Sequence, residues 1–263
     1  MTHGEQRIYL IQALLAEDEK YRRIAIPSDE QGQRDLLRSL MNVRMPKPVS
    51  REFLRVQDEY LQYERAKRGV TDSAKLPPVP KDPRLVLWQG DITTLRTDAI
   101  VNAANSALLG CFRPLHSCID NIIHTRSGIQ LRLFCDDIMR RQGHEEPTGQ
   151  AKITPAFNLP SKYILHTVGP IIYGPLRKQD CEALASCYRS CMKLAVENGC
   201  RSVAFCCIST GEFHFPQEKA AEIAVQTVTS FLNAQKSDIR VIFNVFKDED
   251  LHIYQNLLGV TEC

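Results

Sequence analysis

Ala99-Ile100-Val101-Asn102-Ala103-Ala104-Asn105-Ser106 is the stretch on which the fold turns. It is a short apolar run that ends on two amide side chains with small residues between them. Such a run reads as a buried strand with a polar end. Upstream, Leu85-Val86-Leu87-Trp88 is strand-like in the same way and runs into Gln89-Gly90-Asp91-Ile92-Thr93. Downstream, Tyr163 to Val168, Ser202 to Ile208 and Ile239 to Val245 are further strand candidates. Helical periodicity fills the gaps between the later ones. From Cys181 to Glu197, Leu184, Tyr188, Cys191 and Leu194 form much of one face. Pro216 starts a second helix through Ala220, Ile223, Ala224, Val228 and Phe231, and Asp248 to Leu258 closes with a short third. This alternation implies an α/β layer structure with helices on both faces of the sheet. Ligands in open sheets of this kind sit at the carboxyl ends of strands.

Residues 1–80 read differently. Ile8, Leu10, Ile11, Leu14 and Leu15 recur at helical spacing; Leu36, Leu37, Leu40 and Met41 form a second patch; Phe53, Leu54, Val56, Tyr60, Leu61 and Tyr63 form a third. The expectation is a helical extension over 1–80 packed on a second region over 84–258. Leu76-Pro77-Pro78-Val79-Pro80-Lys81-Asp82-Pro83 between them breaks any helix and reads as a stiff link.

The 263 residues are 43% hydrophobic and 24% charged, ordinary for a globular chain able to bury a core. A net charge of +2 argues against a nucleic-acid partner, which calls for a concentrated basic footprint, and against an electrostatic membrane anchor. No apolar run approaches the ~18 residues of a membrane span. Met1 to Arg7 lacks the apolar core of a signal peptide, so the expected location is cytoplasmic. The ten cysteines then read as thiols rather than a disulfide framework. Cys187, Cys191, Cys206 and Cys207 lie in apolar surroundings and behave as small hydrophobes.

The chemistry concentrates at strand ends. Glycine at Gly90 lets the chain turn, and Asp91 can accept from an exocyclic amine or simply brace the turn. Asn102 and Asn105 each donate and accept; loop bracing is the alternative. Ser209-Thr210-Gly211-Glu212-Phe213-His214-Phe215-Pro216 follows a strand and precedes a helix, where consecutive amides around a glycine can nest an anion. Cys111-Phe112-Arg113-Pro114-Leu115-His116-Ser117-Cys118 offers two thiols and an imidazole within eight residues, either as a metal site or as buried thiols with a core histidine. His124 and His166 read as packing or loop-bracing residues, and His144, Glu145 and Glu146 as a solvated loop.

Together these segments resemble the macrodomain family, whose members bind ADP-ribose. The resemblance runs from about Leu85 to about Tyr254 and includes Gly90-Asp91-Ile92-Thr93, Val101-Asn102-Ala103-Ala104-Asn105, Thr148-Gly149-Gln150-Ala151, His166-Thr167-Val168-Gly169-Pro170 and Ile208-Ser209-Thr210-Gly211 in that order. It implies a three-layer α/β/α sandwich with a mixed central sheet, here with an N-terminal helical extension. It implies that Asp91 holds the adenine amine, that Ile92 offers an amide near the diphosphate, and that Asn102 and Asn105 face the distal ribose. Ser209, Thr210, Gly211, Glu212 and Phe213 would close over the diphosphate, with Phe213 against that ribose.

The cysteine loop resembles the zinc-dependent microbial branch of macrodomain hydrolases. That resemblance makes Cys111, His116 and Cys118 ligands of Zn2+ and, with Asn105, the catalytic set. Three protein ligands leave a fourth position for water or substrate, as catalytic sites do. The implied activity is removal of mono-ADP-ribose from protein side chains, with ester-linked carboxylate adducts, including those on lipoyl-carrier-type proteins, as substrates and free ADP-ribose as product. The alternative is a non-catalytic ADP-ribose reader whose zinc stiffens the cleft rim. Three residues depart from the family pattern: Glu212 replaces a small aliphatic residue, His214 a glycine and Ser127 an alanine. A carboxylate at 212 aimed at a diphosphate would lower affinity.

Overall fold

The computed structural model describes residues 1–260. Three helices come first: α1 (His3–Ala16), α2 (Glu30–Val43) and α3 (Arg51–Arg68). Each is capped in the way its sequence dictates. Thr2 and Glu5 form a reciprocal capping box on α1, Asp29 accepts from the Gly32 amide at α2, and Ser50 accepts from the Phe53 amide at α3. Their apolar stripes meet in one cluster holding Leu10, Ile11, Leu37, Phe53 and Val56, and Ile129 of the following region completes it.

The link is less free than its prolines suggest. Strand β1 (Thr71–Asp72) pairs in parallel with a later strand, and Val79 is buried in the main core. Next come β2 (Leu85–Gln89), β3 (Leu95–Arg96), which is the partner of β1, and β4 (Ala99–Ala104). Then follow α4 (Ile119–Ser127), α5 (Ile129–Gln142), β5 (Ala151–Pro155), β6 (Tyr163–Val168), α6 (Lys178–Glu197), β7 (Ser202–Phe205), α7 (Gln217–Gln235), β8 (Arg240–Val245) and α8 (Asp248–Leu258).

Among the described residues the main sheet has six strands in the order β2-β8-β7-β4-β6-β5. All neighbours are parallel except β5, which runs antiparallel to β6 at the edge, so the sheet is mixed. Side chains alternate between the faces of a strand. In β6, His166 reaches Cys135 of α5 while Thr167 meets Cys187 of α6. Helices α4 and α5 therefore cover one face and α6, with α7 and α8 packed beside it, the other. This is the three-layer α/β/α sandwich that the motifs imply. Its core is Val-, Ile- and Leu-rich, as parallel strands covered on both faces require.

One local reading needs correction. Glu146 is not solvated: its side chain is fully buried, held by Lys152 Nζ at 3.0 Å and Gln142 Nε2 at 3.0 Å, and its amide donates to Ser106 O at 2.8 Å. The loop it sits on packs against the one after β4, which removes Glu146 from water while His144 and Glu145 stay exposed. As expected of apolar surroundings, Cys187, Cys191 and Cys206 are buried in the core and Cys207, part-buried, packs against it. All nine described cysteines are free thiols.

Candidate active site

The carboxyl ends of β2, β4, β7 and β8 open on one side and enclose a cleft of about 580 Å³. That is the size and position expected for a small-molecule site on a parallel sheet.

The first wall is built by the turn after β2. Asp91 caps a 3-10 turn over Ile92–Thr94, accepting from the Thr93 amide at 3.1 Å and the Thr93 hydroxyl at 2.7 Å. Its other oxygen pairs with Arg126 of α4. Burial alone would raise the Asp91 pKa, but Arg126 and the Thr93 donors hold it below the usual carboxylate value. The bracing reading of Asp91 is thus present, and the side chain also lines the cleft. Ile92 begins the turn, and its amide donates to no acceptor among the described residues. Asn244, at the end of β8, fastens this turn by donating to Gly90 O at 2.9 Å.

The floor is the end of β4. Asn105 lines the cleft and is fixed by donation to Gly110 O at 3.0 Å and to Asp120 Oδ2 at 3.3 Å, while its own oxygen accepts from the Ala107 amide at 3.1 Å. Asn102 lies elsewhere. It points toward α4, is fully buried, and is not among the residues lining the cleft. Its amide donates to Asp120 Oδ1 at 2.8 Å and faces His166 Nδ1 at 3.2 Å. Asn102 therefore sits behind Asp120, which in turn holds Asn105. Burial pushes the Asp120 carboxyl up to about 6, against the donated bond from Asn102 and the charge of Arg132.

The loop after β7 forms the second wall. Phe215 N donates to Ser209 O at 2.9 Å and His214 N to Gly211 O at 3.0 Å, closing the loop on itself. Ser209 and His214 take positive φ values of 65° and 55° to allow it. Among the described residues the amides of Gly211, Glu212 and Phe213 donate to no protein acceptor. Three free amides in a row, in the loop that leads into α7, can form the nest an anion needs. The Glu212 side chain turns away from that nest. Its carboxylate lies 3.6 Å from His116 Nε2 and is largely exposed.

The cysteine loop closes the mouth. Cys111, His116 and Cys118 are half-buried, and one donor atom from each lies within 4.8 Å of the others. Cys111 Sγ stands 3.7 Å from His116 Nδ1. Bond lengths of about 2.3 Å to sulfur and 2.0 Å to nitrogen in a tetrahedron place such atoms about 3.5–3.8 Å apart, so the donors fit zinc in kind and spacing. Cys118 is the residue that precedes α4, and it lines the cleft. Burial pushes its thiol up to about 12; the Asn121 amide opposes this, while Cys111 and Asp120 reinforce it. A bound cation is what would draw the proton from such a thiol. The free side of His116, beside Glu212, matches the carboxylate that orients histidine ligands.

Sequence reasoning missed several cleft residues. Arg126 sits inside α4 and no local pattern marks it. Phe246 follows β8 and is 76% exposed, so its position at a strand end was the available signal. A second cluster, His124, Cys135 and His166, lies fully buried behind the cleft. His166 is already committed to Asn102 and, at 3.0 Å, to the Thr154 hydroxyl, which ties β4, β5 and β6 together as a bracing histidine would.

The macrodomain model, described as "Macro domain", matches residues 101–224. A protein-ADP-ribose hydrolase of Treponema medium is 56% identical over 261 residues, covering 98% of this chain and all of its own. One from Staphylococcus aureus strain MSSA476 is 51% identical over 248 residues, covering 94% of this chain and 92% of its own. The chain belongs to the macrodomain family of protein-ADP-ribose hydrolases. Solved macrodomains agree. The Oceanobacillus iheyensis macrodomain with ADP superposes with TM-score 0.60 at 39% identity, covering 66% of this chain and 90% of that one. The Trypanosoma brucei macrodomain in complex with ADP-ribose gives TM-score 0.66 at 29% identity, covering 84% and 95%. This macrodomain is accordingly a hydrolase. Among its described residues no helix is long and apolar enough to cross a membrane.

Proposed function

We propose that the chain is a zinc-dependent hydrolase that removes mono-ADP-ribose from protein side chains, with ester-linked carboxylate adducts as the preferred substrates and free ADP-ribose as product. The observation that carries this reading is the juxtaposition of two sites in one cleft. The amides of Gly211, Glu212 and Phe213 form an anion nest, and Cys111, His116 and Cys118 form a donor set that fits zinc across the mouth. The relatives named protein-ADP-ribose hydrolases support the activity. The free thiols favour a reducing, cytoplasmic location. Lipoyl-carrier-type proteins are the substrate class the resemblance suggests.

The chain's own groups divide the work. The nest binds the diphosphate, with Ile92 adding an amide at the adenosine side. Asp91, kept ionised by Arg126, accepts from the adenine amine. Asn105, locked between Gly110 and Asp120, orients the distal ribose so that its C1 faces the mouth. Asn102 contributes indirectly by fixing the other Asp120 oxygen. Binding energy from the remote diphosphate and adenine then positions the reacting end. Cys111, His116 and Cys118 would hold the zinc, which when bound would supply a Lewis acid there for a water or a ribose hydroxyl.

The test is release of ADP-ribose from a mono-ADP-ribosylated protein by wild type, Cys118→Ala and Asn105→Ala, together with elemental analysis of chelator-free protein. The expected result is near one zinc per chain in wild type, loss of release in both variants, and free ADP-ribose binding retained by Cys118→Ala. Undiminished release by both variants refutes the mechanism. Binding without release in wild type makes the protein a reader.

A further inference from the structure

Residues of the helical extension reach the metal loop directly. Arg38 of α2 donates from Nη2 to His116 O at 2.6 Å and to Asn121 Oδ1 at 3.0 Å. Asn121 passes the constraint on, donating to Cys111 O at 3.3 Å and to Arg113 O at 2.9 Å. One turn along α2, Asn42 is buried and accepts from the Leu115 amide at 3.1 Å, while its own amide donates to the Thr125 hydroxyl at 2.9 Å. Leu115 is held at φ 57°, a backbone conformation that a branched side chain rarely adopts without an imposed partner. The two α2 residues lie four apart, on one helix face, and that face is turned to the loop. Every backbone group they grip belongs to His116 or the residue before it.

We infer that Arg38 and Asn42 are positioning residues for the metal centre, so that the helical extension sets the loop's affinity for its cation. This rests on the metal reading proposed above. The three donors come from a loop of eight residues with no regular structure of its own. Such a loop loses much conformational freedom on binding a cation, and less when its backbone is already held. Arg38 fixes the carbonyl of the ligand His116 and Asn42 fixes its neighbour. The extension thereby takes part in the site without touching ADP-ribose.

Co2+ is the probe, because thiolate ligation gives it a charge-transfer absorption that neither ADP-ribose nor a structural defect produces. It is titrated into metal-free wild type, Asn42→Asp, and Arg38→Ala with Asn42→Leu combined. Free ADP-ribose affinity and amide hydrogen exchange over residues 111–118 are measured alongside. The double variant is expected to bind Co2+ about 10–100-fold more weakly, the range seen when groups that orient metal ligands are removed. Its Leu115 and His116 amides should exchange faster, while ADP-ribose affinity stays within about twofold, showing that the cleft is intact. Asn42→Asp keeps the oxygen that accepts from Leu115 and should restore most of the Co2+ affinity. Equal Co2+ affinity in wild type and double variant overturns the inference and leaves the metal reading standing. No thiolate band in wild type overturns the metal reading itself, and the inference with it. A double variant that loses ADP-ribose binding in parallel also overturns it, since the extension would then be supporting the whole fold.

Discussion

Arg132 is the side chain whose loss should do most damage at least distance from the cleft. It is 5% exposed and sits between the extension and the main sheet. Nη1 donates to Met41 O at 3.1 Å, Asn42 O at 2.9 Å and Arg44 O at 2.5 Å, which are carbonyls at the open C-terminus of α2. Nε donates to Leu109 O at 2.6 Å, and the guanidinium lies 4.3 Å from the Phe112 ring centre. Arg132→Met keeps the stem's packing and removes every donor. Each carbonyl left buried and unpaired costs on the order of 1–3 kcal/mol, and the losses are not additive, so the total should be about 3–5 kcal/mol. At roughly 2–4 °C per kcal/mol for a chain of this size, the melting temperature should fall by about 10 °C or more. Arg132→Lys keeps the charge but cannot span α2 and Leu109 together, and should recover less than half of the loss. The assay is thermal and urea unfolding of wild type and both variants. A melting temperature for Arg132→Met within about 2 °C of wild type would refute the claim that this residue staples α2 to the loop after β4.

Further outcomes test other parts of the site. A Cβ at Gly169 would overlap Ser209 Oγ and stand 3.0 Å from Ile208 Cγ2, so Gly169→Ala should displace the loop after β7 and weaken ADP-ribose binding about tenfold by calorimetry. Adding Ser209→Gly should return part of that affinity; equal binding by Gly169→Ala and wild type would show the loop is not fixed there. His166 is fully buried with its pKa pushed down to about 3. A histidine neutral in the fold and free to protonate when unfolded gives stability that is complete above about pH 6.5 and declines as pH falls toward 3. His166→Gln should therefore lose about 2 kcal/mol less than wild type between pH 7 and pH 5 in urea titrations, and an identical loss would contradict the assignment. Asp120 works in the opposite direction over the same range, because its carboxyl, raised to about 6, takes up a proton earlier in the fold than in the open chain. Arg126→Ala should weaken ADP-ribose binding while leaving Co2+ binding unchanged, because the hydrogen bonds of Arg126 among the described residues go to Asp91 and Thr93 and not to the cysteine loop.

Much of the fold was legible because buried parallel strands advertise themselves as apolar runs. Leu85 to Trp88 and Tyr163 to Val168 are such runs, and the first ends where the cleft begins. Ala151–Pro155 was not legible as a strand. It is antiparallel, at the edge, only half-buried, and ends in proline, so it lacks that signal. Helices α4 and α5 were obscured by composition, since Asp120, Asn121, His124 and Arg132 are buried polar residues where an apolar stripe would be sought. The cysteine loop was visible as a donor set, but its anchoring was not, because Arg38 and Asn42 lie more than seventy residues away along the chain. Backbone strain was equally hidden. Leu108, Leu115, Ser209 and His214, all in the loops around the cleft, adopt positive φ though none is glycine.

The loop from Gly211 to Phe213 offers peptide hydrogens rather than side chains. Every amino acid but proline carries such a hydrogen, so on the proposed reading the side chains there are released from the duty of holding phosphate. A lineage can exchange them at little risk to affinity for a nucleotide and put them to other uses. On the proposed reading a carboxylate at Glu212 is therefore no contradiction: it lies beside His116 and leaves the peptide groups undisturbed.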